Sequence, residues 1–228
     1  MSSFDWQAVL TRSLGTRYPL QPQGDVLGIA EWERFVYHFP FPNPEAAWPW
    51  LEALHRAKRA APARVCPRIF VSHKQADVDD AKRIAWLVQD EKMEYWLDAI
   101  DLPLALAPWL PAGTGFNSTL LIAALIEMAL INCTHVLAVM TPQTAPSRWV
   151  PYEYGRIKDD PPGHLTASCW RHKDLPVSDL PEYLLLAPIL SSESDIRGWL
   201  QREKTLFKKC LWKDAGEWYG DIPEPLLE

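Results

Sequence analysis

From Arg68 onward, short apolar runs alternate with amphipathic segments, a rhythm that predicts a parallel α/β sheet. Ile69-Phe70-Val71-Ser72 reads as a buried first strand, Asp77 to Glu91 as a helix with Ala81, Ile84, Ala85 and Val88 inward, and Glu94 to Asp98 as a second strand. After a long loop from Ala99 to Asn117, Ser118 to Asn132 reads as an apolar helix and Val136 to Met140 as a third buried strand. Trp149 to Lys158 is the next helix, Leu165 to Cys169 and Tyr183 to Ala187 are the fourth and fifth strands, and Ser194 to Lys208 forms the last helix. The expected architecture is a five-stranded parallel sheet with helices on both faces.

The first 64 residues break this rhythm. A Pro/Gly/Gln linker over Tyr18 to Asp25 and the turn Pro40-Phe41-Pro42-Asn43-Pro44 precede Glu45 to Ala60, which reads as a helix with Trp48, Leu51, Leu54 and His55 on one face. The reading is a helical extension over 1–64, the main domain over 65–208 and a C-terminal strap over 209–228. Its basic run, Arg56-Ala57-Lys58-Arg59, is read as a solvated helix terminus.

With 228 residues, the chain can bury one full core. A formal charge of -6 argues against a nucleic-acid binder, which needs a basic face. No apolar stretch reaches the length of a membrane span, and Met1 to Leu10 has the character of no leader, so a cytoplasmic protein is expected. The four cysteines, Cys66, Cys133, Cys169 and Cys210, are far apart with no C-x-x-C pair, which argues against a zinc knuckle or a disulfide framework.

In a doubly wound sheet, ligands bind beyond the carboxyl ends of the strands, which selects the loops after Ser72, Asp98, Thr141 and Cys169. Ser72-His73-Lys74-Gln75 stands where a dinucleotide fold carries G-x-G-x-x-G, and no phosphate loop is present, so a classical dehydrogenase or ATPase is excluded. Pro151 is tolerated only in a first helical turn, which puts Glu153 near a helix start at the active edge of the sheet. Trp149 lies four residues before Glu153, one turn away. An aromatic wall beside a carboxylate suits a ribose with a cationic aromatic leaving group.

Read in order, Arg68-Ile-Phe-Val-Ser-His73, Tyr95-Trp-Leu-Asp98, Ile126 to Thr141 and Ser147-Arg-Trp-Val-Pro-Tyr-Glu153 resemble a bacterial Toll/interleukin-1 receptor (TIR) domain over roughly residues 66 to 200. The resemblance implies a flavodoxin-like fold and cleavage of the nicotinamide-ribose bond of NAD+, as in anti-phage TIR proteins. It maps the catalytic glutamate onto Glu153, places Ser72, His73 and Lys74 beside the nicotinamide-ribose site, and sets Trp149 and Asp98 near it. NAD+ is then substrate, with no cofactor or metal. A homo-oligomer is implied, with a downstream effector protein that senses the nucleotide product. The proline-rich loop after the second strand and the N-terminal extension depart from the family pattern.

Other candidates have plainer readings. Glu127 is taken as a satisfied or helix-edge glutamate, and Asp98 with Asp101 as turn caps rather than metal ligands. His135, Cys133 and Trp96 are assigned to core packing. Two alternatives to the NAD+ nucleosidase are a non-enzymatic TIR scaffold and a nucleoside deoxyribosyltransferase-like enzyme.

Overall fold

The strand Arg68–Ser72 (β1) is buried at all five positions, as expected of a central parallel strand covered on both sides. Its neighbours are Glu94–Trp96 (β2) and His135–Met140 (β3), followed by Ala167–Arg171 (β4) and Ile189–Leu190 (β5). All pairings are parallel, and the order is β2-β1-β3-β4-β5, that of a flavodoxin-like sheet. The computed structural model describes residues 52, 67–100, 104, 118–144, 147–157 and 166–206.

Four α-helices of more than one turn occur among the described residues: Val78–Asp90 (α1), Ser118–Asn132 (α2), Trp149–Ile157 (α3) and Glu193–Leu206 (α4). Residues 67–97, 133–144, 147–157 and 166–206 belong to one compact unit, while 52, 98–100, 104 and 118–132 belong to a second. In the second unit, α2 buries Ala124, Leu125, Ile126, Ala129, Leu130 and Ile131, together with Glu127 at 5% exposure.

Within the sheet unit, the connection from β1 runs to β2 on one side and that from β3 to β4 on the other. Right-handed crossovers then put α1 and α3 on opposite faces. The helix α1 buries Ala81, Ile84, Ala85, Leu87 and Val88 and ends in a Schellman turn, in which Lys92 N–H bonds to Gln89 O (2.8 Å) and Met93 N–H to Val88 O (3.1 Å). Lys92 occupies the left-handed position at φ 60°, where glycine is the usual residue. Arg197 on α4 joins the end of α1, donating to Asp90 (2.6 Å) and Glu91 (2.9 Å), and Lys204 Nζ donates to Glu91 O at 2.7 Å. Helices α1 and α4 therefore share a face.

The amino-terminal edge of the sheet carries a buried polar network. Arg68 Nε donates to Glu94 Oε2 across the β1–β2 pair at 2.6 Å, and Thr134 Oγ1 accepts from Arg68 N–H at 2.9 Å. His135 Nδ1 lies 2.8 Å from that hydroxyl, while its Nε2 is 3.2 Å from Glu203 Oε2 on α4. Both His135 and Glu203 are fully buried, and Arg202 Nη2 reaches Glu203 Oε1 at 2.8 Å. His135 is a core residue, as read from sequence, but one held by polar partners.

The fifth strand differs from expectation. Tyr183 to Ala187 falls in the 3-10 helix Glu182–Leu186, and the strand is Ile189–Leu190. Pro181 fixes φ just before the segment, and Leu184 N–H and Ala187 N–H bond back to Pro181 O and Leu184 O. Of its apolar residues only Leu184 is buried, and Leu185 and Leu186 are 52% and 61% exposed, so the apolar run is a surface turn rather than a core strand. The fourth strand is shifted toward Arg171, and the second ends at Trp96. Apart from Glu52, which is helical and exposed, the helix read over Glu45 to Ala60 lies outside the described residues, as do the extension and strap boundaries and most of the loop from Ala99 to Asn117.

Candidate active site

Because β1 and β3 send their connections in opposite directions, their carboxyl ends are the switch point at which sheets of this order bind ligands. Ser72 closes β1 and pairs with Ala138 of β3. Helix α3 packs over β3 and β1, so its inward residues reach the end of β1. Val150, Glu153, Tyr154 and Ile157 form that buried stripe, at the spacing of one helical face. Glu153 is the one carboxylate in the stripe. Ser72 Oγ donates to Glu153 Oε2 at 2.5 Å, and the two residues are 1% and 6% exposed.

A second tie lies at the same switch point. Asp77, 6% exposed at the start of α1, accepts a hydrogen bond on each oxygen: Thr141 Oγ1 on Oδ1 and Thr144 Oγ1 on Oδ2, both at 2.8 Å. Thr144 N–H closes a turn onto Thr141 O (3.1 Å), Thr141 N–H donates to Thr144 Oγ1 (3.1 Å), and Ser147 N–H continues to Thr144 O (2.8 Å). Lys74 Nζ donates to Gln143 O at 2.9 Å. The loops after β1 and β3 are thus joined by charge-assisted bonds at two places.

Five of the six residues expected at the site lie in this unit. Ser72 and Glu153 are in direct contact, and His73 and Lys74 follow Ser72 along the chain. His73 is buried, with Nδ1 3.4 Å from Val71 O. Trp149 opens α3 and is 39% exposed, resting edge-on against Tyr152 at 5.8 Å; Arg156 lies over the Tyr152 ring. Asp98 begins the short turn Asp98–Ile100, which belongs to the other unit, and Asp101 lies outside the described residues.

Asp77, Thr141 and Thr144 are the residues that sequence reasoning passed over. Asp77 read as the first residue of an ordinary helix. The available signal was the carboxylate five residues beyond Ser72 with Thr-x-x-Thr directly after the third strand. Polar residues at both strand exits of a switch point are candidates for a cross-link.

Next to Glu153 in the buried stripe of α3 is Tyr154. Burial pushes the Tyr154 phenol well above its ordinary value, with the Cys169 and Tyr183 groups adding to the shift. Burial likewise pushes the Cys169 thiol up to about 12, against the opposing pull of the Arg171 guanidinium. Trp96, placed in the core by sequence, is 2% exposed and stacks on Phe70 at 4.6 Å.

No group of three or more His, Cys, Asp or Glu that could hold a metal ion occurs among the described residues. No described helix is long and apolar enough to cross a membrane. Neither a family model nor a curated protein matches the chain.

Proposed function

We propose that this chain is a TIR-type enzyme in which Glu153 cleaves the nicotinamide-ribose bond of NAD+. The observation that supports it most is the bond between Ser72 and Glu153, a carboxylate and a hydroxyl meeting at the sheet's switch point. A carboxylate fixed among buried neighbours can stabilise developing positive charge better than one in water. As the glycosidic C–N bond breaks, its electron pair leaves with nicotinamide and an oxocarbenium ion develops on the ribose. Glu153 stabilises that ion, and a ribose hydroxyl takes the place of the Ser72 hydroxyl on its oxygen. Water attack yields ADP-ribose and a proton; attack by a nucleophile of the same molecule yields a cyclic ADP-ribose.

Trp149, half-exposed one turn before Glu153, supplies an aromatic surface for a planar leaving group. His73 and Lys74 extend the site toward ribose and phosphate. The wider reading places the enzyme in the cytoplasm as a homo-oligomer whose product is sensed by an effector protein in anti-phage defence.

A second reading has a specific observation in its favour. Glu153 is only 6% exposed and already bonded to Ser72, which suits a structural latch in a non-enzymatic TIR scaffold. The experiment is to incubate the full chain with NAD+ and follow nicotinamide by chromatography, with Glu153→Ala alongside. Release that the substitution abolishes supports the enzyme. Release that survives it removes Glu153 from the chemistry. A chain that binds its own copies but releases no nicotinamide at any concentration is the scaffold, and base exchange on deoxynucleosides without action on NAD+ selects a deoxyribosyltransferase-like enzyme.

A further inference from the structure

We infer that Asp77 is a positioning residue: by gripping Thr141 and Thr144, it sets the height of α3 and so holds Glu153 against Ser72. This rests on the reading of Glu153 as the catalytic carboxylate. The argument begins from geometry. Asp77 is held in place itself, its N–H bonded to Lys74 O at 2.7 Å at the start of α1. Its two oxygens each take a hydroxyl from the turn after β3 at 2.8 Å.

From Thr144 the chain of bonds leads directly to α3. Ser147 N–H donates to Thr144 O at 2.8 Å, and Ser147 Oγ accepts from Val150 N–H in the first turn of α3 at 3.3 Å. One turn further on is Glu153. A shift of α3 along the sheet lengthens and bends the Ser72–Glu153 bond, and hydrogen bonds weaken steeply once the angle is poor.

Removing the Asp77 carboxylate leaves two buried hydroxyls, at 5% and 1% exposure for Thr141 and Thr144, without their acceptor. Thr144 then turns to Val139 O, 3.1 Å away, and draws the turn toward the strand. The loop joining β3 to α3 follows it. Glu153 loses part of its bond from Ser72.

The sign of the effect separates positioning from charge. A hydrogen bond to the ionised form lowers a carboxyl's pKa, so a weakened Ser72 bond raises the Glu153 midpoint. Loss of a neighbouring negative charge does the reverse and lowers it. The charged and titratable residues on the flanking segments are His73, Lys74 and Asp77 after β1, with Arg148, Tyr152, Tyr154 and Arg156 beside and on α3. Only Asp77 is altered in the test.

The experiment is a carboxyl 13C NMR titration of Glu153 in the full chain, assigned with Glu153→Gln, in the unsubstituted protein and in Asp77→Ala. The expected result is a Glu153 midpoint raised by about one pH unit in Asp77→Ala. Thr144→Val, which deletes one of the two bonds and leaves the charge, gives a smaller rise and carries the test where Asp77→Ala does not fold. A midpoint that falls or stays in place in the folded variants overturns the inference. Nicotinamide release by the unsubstituted chain is followed separately. Its absence removes the nucleosidase reading, while the Glu153 midpoint still decides whether Asp77 positions that carboxylate.

Discussion

Arg68 and Glu94 face each other in the parallel register of β1 and β2, and their side chains meet at 2.6 Å with 1% and 6% exposed. Taking both charges out of water is expensive, and their mutual bond offsets part of that cost. Removing one partner deprives the other of that short bond. Glu94→Leu should therefore destabilise the chain by about 3–5 kcal/mol, and adding Arg68→Met should restore most of that. Urea unfolding of the two variants checks it; equal losses in the single and the double would show that the pair is not coupled.

Ser72 should matter less than Glu153, and in a different way. If Glu153 is the carboxylate of the proposed nucleosidase, Glu153→Ala should lower the rate of nicotinamide release on the order of 10²-fold or more. Ser72→Ala keeps the carboxylate but deletes a bond to its ionised form, so the acid limb of the pH–rate profile should move to higher pH. Rate measurements from pH 4 to 8, values chosen to bracket an ordinary carboxyl of about 4.3, distinguish the two. An unmoved acid limb in Ser72→Ala would argue that Glu153 does not carry it.

Cys169 is fully buried on β4, and burial pushes its thiol up to about 12. A thiol in the unfolded chain ionises near about 8.5. Because the folded value is the higher one, the fold is unaffected below the unfolded pKa and loses stability as pH rises from there toward the folded value. Cys169→Ala or Cys169→Ser should flatten that alkaline decline, read from thermal melts between neutral pH and pH 10. Rapid labelling of Cys169 by a thiol reagent in the folded protein would contradict the burial on which this rests.

Gly198 sits in α4, and a Cβ built on it meets nothing within 4 Å. Glycine in a helix interior gives up more conformational freedom on folding than alanine does. Gly198→Ala should raise stability by about 0.5–1 kcal/mol without any change in nicotinamide release. A melt that moves down would mean that α4 packs against something outside the described residues.

Much of the fold was legible along the chain, and the reason lies in periodicity. The runs Ile69 to Val71 and Val136 to Met140 are continuously apolar because central parallel strands are covered on both faces, and those strands and α1 stand within a few residues of expectation. The fifth strand was misplaced because Tyr183 to Ala187 offers the same apolar composition without the burial. An apolar run carries no mark of which side of the surface it lies on; the flanking Pro181 and the weak two-residue strand after Pro188 were quieter signals.

Of the site, the sequence by itself determined the ingredients: a serine at the end of the first strand, a glutamate in the helix after the third, and the strand order's carboxyl edge as the place where ligands bind. What tertiary structure alone decided is which of them touch. Ser72 and Glu153 are 81 residues apart, and Asp77 lies 64 and 67 from Thr141 and Thr144. Contacts at that separation depend on how α3 packs over β1 and β3, and no local pattern encodes that packing. The same packing sets the surroundings of Glu153, which the resemblance to a TIR domain singled out as the reactive carboxylate. It gave Asp77, an unremarked residue at a helix start, its grip on the turn that leads to Glu153.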